Sequence, residues 1–146
     1  KQLEKELKCE VIIIPAYPNE ETGHADGMVR FIDGKTVFIN NPLGGTKKWR
    51  DDFSGKIKEY GLRTESLPCT MDDGQETGDG LYINYLHVGN LIVVPQFGKG
   101  HPDQEAFDII NDVMGNQCHV IKYDAHNIAK HGGVLNCATW TVFDSA

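Results

Sequence analysis

The sequence predicts an α+β fold built from a repeated strand-strand-helix-strand unit, and three observations carry that prediction. Two pairs of short β-branched and aromatic runs are each joined by a glycine-containing turn, at Asp33-Gly34 and at Gly89-Asn90. Each pair is followed by a stretch with apolar residues at helical spacing and then by one more strand-like run. The turns, the helix starts and the glycines at 61 and 115 all recur after roughly 55 residues, a period that marks a supersecondary repeat.

Taken in order, Leu3 to Leu7 reads as a helix and Val11-Ile-Ile-Ile14 as a strand, the second half of one unit. Val29 to Asn40 reads as a hairpin, because Asp33-Gly34 tolerates the positive φ angles of a type I′ turn. From Thr46 to Tyr60, the residues Trp49, Phe53, Ile57 and Tyr60 form one apolar stripe, with Thr46 as N-cap and Gly61 as the C′ residue. Arg63 to Leu67 is the next strand, ended by Pro68. Leu81 to His87 and Leu91 to Pro95 form the second hairpin. Pro102 then opens a helix with Ala106, Ile109, Ile110 and Val113 on one face, stopped at Gly115, and Cys118 to Tyr123 follows as a strand. Val134 to Phe143 reads as a lone final strand. The expected boundaries are therefore 1–22 for the tail of one unit, 23–68 and 81–124 for two units, and 132–146 for a closing strand. That is about two and a half units, where repeat arrays need about three to bury their faces.

Composition bounds the function. The 146 residues carry 14 Lys+Arg and 21 Asp+Glu, a formal net charge of −7, with 40% hydrophobic and 24% charged residues. A chain of this size forms one domain and buries roughly 68–70% of its unfolded surface without staples. No apolar run approaches the roughly 20 residues that span a bilayer, so no membrane partner is expected. An acidic chain without a Lys/Arg cluster does not suit nucleic acid either. The opening stretch from Lys1 to Lys8 lacks the apolar core of a signal peptide, and the first residue is not Met, so an excised or processed piece is expected. The cysteines at 9, 69, 118 and 137 form no C-x-x-C pair, which fits reduced thiols in a cytoplasmic protein.

Three motifs could carry chemistry. In Gly23-His-Ala-Asp-Gly27, an extended backbone would turn His24 and Asp26 toward one pocket as a proton-transfer group and a carboxylate; an isolated H-x-D triplet also reads as a polar loop before a strand. In Gly132-Gly-Val-Leu-Asn-Cys-Ala-Thr139, two glycines permit close backbone approach to Cys137, which is either a nucleophile paired with a histidine or a small buried hydrophobe. Asn84, in the apolar run Leu81-Tyr-Ile-Asn-Tyr85, is either a site residue or the outward-facing member of a normal alternation. Other signals fail on spacing. Gly44-Gly-Thr-Lys-Lys48 is not a phosphate-binding loop, the six histidines lack zinc-site spacing, and Gly74 to Gly80 has too few ligands for a calcium loop.

Jointly, Gly23-His-Ala-Asp-Gly-Met-Val-Arg-Phe31, Tyr82-Ile-Asn-Tyr85 with its partner Ile92-Val-Val-Pro95, and Gly132-Gly-x-x-Asn-Cys-x-Thr139 resemble the agmatine deiminase and bacterial peptidyl-arginine deiminase family of guanidino-group-modifying enzymes. The resemblance covers essentially the whole chain. It implies a partial pentein, the α/β propeller of five strand-strand-helix-strand units around an active site, here as its C-terminal portion. It further implies Cys137 as nucleophile, His24 as proton-transfer residue, Asp26 as the carboxylate that grips the guanidinium, and Asn84 as a residue lining the site. The implied partner is a small cationic guanidino compound or an arginine side chain, with no metal or organic cofactor. Delocalisation deactivates a guanidinium carbon, so such a site holds the cation with fixed carboxylates and attacks with a thiolate. The implied reaction releases ammonia and passes through a Cys-thiouronium intermediate.

Two positions depart from the family pattern. Asn136 stands where many members have His before the nucleophile, and Trp140 follows where agmatine deiminases usually have Gln. The family also draws carboxylates from a first half that these residues do not include, so the isolated chain is expected to be inactive or nearly so. The alternative expectation is a catalytically incomplete half-propeller acting as a binding or association module. Its open strand edges and apolar faces would pair as a homodimer or with the missing N-terminal half. A Cys-His peptidase would use the same side chains, but the sequence carries no signature of one.

Overall fold

Two small sheets carry the β structure in a computed structural model that describes residues 2–18, 23–71 and 76–142. In the first, β1 (Val29–Phe31) pairs antiparallel with β2 (Thr36–Asn41), and β2 pairs parallel with β3 (Arg63–Pro68) after a crossover through helix α2 (Lys47–Glu59). The second repeats the order: β4 (Leu86–Val88) is antiparallel to β5 (Leu91–Gln96), which is parallel to β6 (His119–Asp124) after helix α3 (Asp103–Met114). The α+β class and the strand-strand-helix-strand order read from the sequence are both present in these elements. Two short helices flank them, α1 (Gln2–Leu7), which buries no residue, and α4 (His126–Ala129). Among the described residues, no helix is long and apolar enough to cross a membrane.

Local chemistry sets the ends of each helix. In α2, Thr46 accepts a hydrogen bond from the Trp49 N–H at 3.2 Å, while Gly61 at φ 65° ends the helix. The Gly61 N–H reaches the Lys58 carbonyl and the Leu62 N–H the Ile57 carbonyl, the paired bonds of a Schellman motif. Trp49, Phe53 and Ile57 are buried against Met28 and Val37, and each such side chain contributes about 1.5–3 kcal/mol of burial. Helix α3 ends differently. Gly115 is its C-cap at φ −64°, a right-handed conformation, so the two equivalent glycines do different work.

The first hairpin is also corrected. Gly34 does not take a positive φ. Instead the Asp33 carboxylate accepts from the Lys35 N–H (2.7 Å) and the Thr36 hydroxyl (3.1 Å), closing a four-residue loop in place of a type I′ turn. The second hairpin does use a left-handed glycine, Gly89 at φ 58°, between β4 and β5.

Three predicted strand segments have other conformations. Val11 to Ile14 forms no strand; the chain there runs along α2, where the Pro15 carbonyl accepts from Trp49 Nε1 at 3.3 Å and Tyr17 packs edge-on against Trp49. Residues 19–22, the end of the expected 1–22 tail, lie outside the described residues, as do 143–146. The predicted strand from Leu81 to His87 begins instead with a 3₁₀ turn, Tyr82–Asn84, and only Leu86–Val88 is extended. From Val134 to Val142 the described residues form turns and loop without pairing, so the lone closing strand is absent there. The Ala138 N–H bonds back to the Val134 carbonyl at 3.0 Å, a helical spacing that an extended strand cannot satisfy.

The second sheet, the 3₁₀ turn and α3 share one core, which also takes in Phe38 and Leu67 from the first sheet. Tyr82, Ile83, Asn84 and Tyr85 are fully buried in it. The turn that carries Asn84 is thereby wedged between the two sheets.

Candidate active site

The site is built by three loops that meet beside that wedge. The first follows Gly23, which turns the chain at φ 68°. His24 is extended (φ −66°, ψ 90°), and Ala25–Gly27 then close into a 3₁₀ turn through bonds from Gly27 N–H to the His24 carbonyl and Met28 N–H to the Ala25 carbonyl. The expectation of a continuous extended H-x-D backbone is therefore corrected, because the turn's own hydrogen bonds outcompete extension at Asp26. Asn40 on β2 fixes the turn by donating to the Gly27 carbonyl at 2.8 Å.

The second loop presents Asn84 and the third Cys137. Asn84 is not the outward member of an alternation: its side chain is fully buried, and its Oδ1 accepts from the N–H groups of Val134 and Cys137, both at 3.2 Å. Its backbone carbonyl accepts from the Asn136 N–H at 3.1 Å. One buried amide thus shapes the loop that displays the thiol. Gly133 allows it to pack so tightly, since a Cβ there would lie 2.6 Å from the Cys137 Cβ and 3.3 Å from Sγ.

The side chains converge on a single oxygen. Asp26 Oδ2 accepts from Asn136 Nδ2 at 2.8 Å, from Asn84 Nδ2 at 3.0 Å and from the Cys137 thiol at 3.2 Å. Asn84 Nδ2 also lies 3.3 Å from Cys137 Sγ. His24, Asp26, Asn84 and Cys137 all line one cleft of about 510 Å³, together with Tyr17, Leu43, Trp49, Glu76 and His131. The four residues singled out in the sequence thus meet in one place.

Electrostatics divides the pair at the centre. Partial burial opposes the charge on Asp26, but the hydrogen bonds from Asn136, Cys137 and Asn84 and the charge of His24 outweigh it, holding the carboxyl below its usual range. Cys137 is exposed as a residue, but partial desolvation where the thiol faces Asp26 and Asn84 pushes its pKa up, and the hydrogen bond to Asp26 and that residue's negative charge push it further. The resting pair is therefore a thiol donating to a carboxylate. All four cysteines are free thiols, and of these Cys9 and Cys137 are exposed. Cys69, which also lines the cleft, is pushed up by burial.

Sequence reasoning missed two groups near this centre. Asn136 was visible only as a departure beside Cys137, with no sign that its amide reaches Asp26 across 110 positions. Arg30 on β1 stacks over the Tyr85 ring, its Cζ 4.3 Å from the centroid. Burial lowers its pKa, against the raising influence of Tyr85, Asp26 and Cys137. An arginine inside the apolar run Val29-Arg-Phe31 was the available signal.

Comparison with known proteins follows the same lines. No curated protein matches the chain. An agmatine deiminase from C. jejuni superposes with a TM-score of 0.72 at 18% identity, over 93% of this chain and 43% of that one. The agmatine deiminase of Enterococcus faecalis gives 0.69 at 18%, over 92% and 45%. A cysteine-to-serine variant of the C. jejuni enzyme, solved with substrate bound, gives 0.66 at 17%, over 92% and 43%. At such identities the likeness is one of fold, and the chain spans less than half the length of each of these proteins. The model of Porphyromonas-type peptidyl-arginine deiminases matches residues 1–142, and to that family the chain belongs.

Proposed function

We propose that these residues are the C-terminal part of a pentein-type deiminase domain, with 23–68 and 81–124 as two of its units, which hydrolyses a guanidino group of agmatine, arginine or peptidyl-arginine. The observation that carries this reading is the convergence of Cys137 Sγ, Asp26 Oδ2 and the Asn84 amide within 3.0–3.3 Å of one another, in a cleft that His24 also lines. A guanidinium entering beside Asp26 offers the carboxylate a better partner than the thiol. The S–H···O bond is lost, and the nearby cation favours the thiolate.

The chemistry then proceeds in two halves. The Cys137 thiolate adds to the guanidinium carbon, forming a C–S bond, and His24 as imidazolium protonates the departing nitrogen, which leaves as ammonia. Neutral His24 next takes a proton from water as its oxygen adds to the thiouronium carbon. The C–S bond then breaks to return the thiolate as the added oxygen gives up its remaining proton, through solvent, to the released ammonia. A neutral urea product and ammonium result, and His24 keeps its proton for the next turnover. The net change is guanidinium plus water to urea plus ammonium. A net charge of −7 suits a protein that attracts cations. The remaining carboxylates implied by the resemblance would come from the part of the relatives this chain does not span.

Mass spectrometry after incubation with a chloroacetamidine tests the reading. This cationic amidine should alkylate Cys137 faster than neutral 2-chloroacetamide, which has the same leaving group, and should spare Cys9; equal or slower amidine labelling of Cys137 overturns the proposal. A second reading, an association module, is favoured by exposed Ile121 and Tyr123 on β6, an edge strand. Dimerisation in light scattering without an amidine adduct would support it over the enzyme.

A further inference from the structure

We infer that Asn136 is a positioning residue that clamps Asp26 for its work on the guanidinium. The inference rests on the deiminase reading for its purpose, but its geometry stands apart from it. Asn136 makes the shortest of the contacts on Asp26 Oδ2, 2.8 Å against 3.0 Å for Asn84 and 3.2 Å for the Cys137 thiol. Its own backbone is held on both sides, its N–H by the Asn84 carbonyl at 3.1 Å and its carbonyl by the Thr139 N–H and hydroxyl, both at 3.3 Å. The side chain therefore departs from a fixed point.

A carboxylate oxygen has two lone pairs, so the two amides compete with the thiol for them. That competition does two things. It holds the carboxylate in one rotation, ready for a planar cation, and it weakens the grip of Asp26 on the Cys137 proton that must leave before attack. Where a histidine at this place would change charge near neutral pH, an amide donates across the whole working range. The clamp therefore holds at every pH at which Asp26 is ionised.

Two readouts test it on the 146-residue chain. Carbon-13 NMR titration of Asp26 needs no ligand: in Asn136→Ala, loss of the donor should move the Asp26 titration to higher pH, and an unmoved titration overturns the clamp. Chloroacetamidine labelling of Cys137 should slow about tenfold in Asn136→Ala, the scale of one hydrogen bond to a charged group. Asn136→His, which restores an N–H donor, should recover most of that rate. In an Asp26→Ala background, Asn136→Ala should change labelling by less than about twofold. Undiminished slowing there assigns Asn136 a merely structural role and overturns the proposal. If the unsubstituted chain reacts no faster with the amidine than with neutral 2-chloroacetamide, the deiminase reading fails, while the NMR titration still decides the clamp.

Discussion

Replacing Asn84 by alanine should destabilise the whole chain, and the structure gives the size. The substitution deletes the Oδ1 that accepts from Val134 and Cys137 at 3.2 Å each, and the Nδ2 that donates to Asp26 at 3.0 Å. Val134 is fully buried, so water cannot replace its lost partner, and a buried unsatisfied donor costs about 1–3 kcal/mol. The Cys137 N–H makes only a part-buried bond, so it recovers part of its loss from solvent, and Asp26 keeps the Asn136 amide. The sum is about 2–4 kcal/mol, a large share of the roughly 5–15 kcal/mol that holds a domain together. Thermal unfolding followed by circular dichroism should show Tm falling by roughly 6–12 °C. Hydrogen exchange should show the Val134 amide losing protection. Asn84→Asp is the internal control, since it keeps the acceptor for both backbone groups but sets a second carboxylate against Asp26. Its defect should ease as the pH is lowered and one carboxyl protonates. A loss below about 0.5 kcal/mol in Asn84→Ala would refute the reasoning, because surface-like substitutions produce no more.

Further outcomes follow from the same geometry. Gly133→Ala places a Cβ 2.6 Å from the Cys137 Cβ, so the thiol must shift; alkylation of Cys137 should change rate and stability should fall by about 1–3 kcal/mol in urea unfolding. Gly61→Ala forces a side chain into φ 65° at the end of α2 and should cost about 1–2 kcal/mol, with Cys137 alkylation unaffected. Asp26→Asn removes the charge that helps keep the proton on Cys137. The pH midpoint of Cys137 alkylation by iodoacetamide should therefore move down; a midpoint that stays or rises contradicts the assigned cause. The raised thiol pKa of the unsubstituted chain stabilises the fold below the unfolded thiol range, and that contribution disappears as the pH rises through the folded value.

What could be read from the sequence was local. Thr46 and Gly61 bracket α2 because capping acts within one turn, and the 4-4-3 stripe from Trp49 to Tyr60 needs no distant partner. The H-x-D triplet, Asn84 and Cys137 were identifiable as one constellation only through family likeness, since no spacing rule brings residues 26, 84 and 137 together. Two of the strand misreadings share one cause. Leu81–Tyr85 and Val134–Val142 have the apolar and β-branched content of strands, yet the Asn84 amide bonds to the loop fifty residues away and turns both segments. Asp33-Gly34 failed for a smaller reason, as the Asp33 side chain satisfied the loop without a left-handed glycine. Asn136 stood in plain view, but its partner was set by a loop that only tertiary packing defines.

The central claim is that Cys137 attacks a guanidinium. Its most direct test is ammonia release from agmatine, arginine and an arginine-containing peptide by a chain of the relatives' length that carries these residues, with and without Cys137→Ala. Release from one of the three substrates, with the alanine variant slower by at least about a thousandfold, is the expected result. An alanine variant that releases ammonia at the unsubstituted rate would contradict the account.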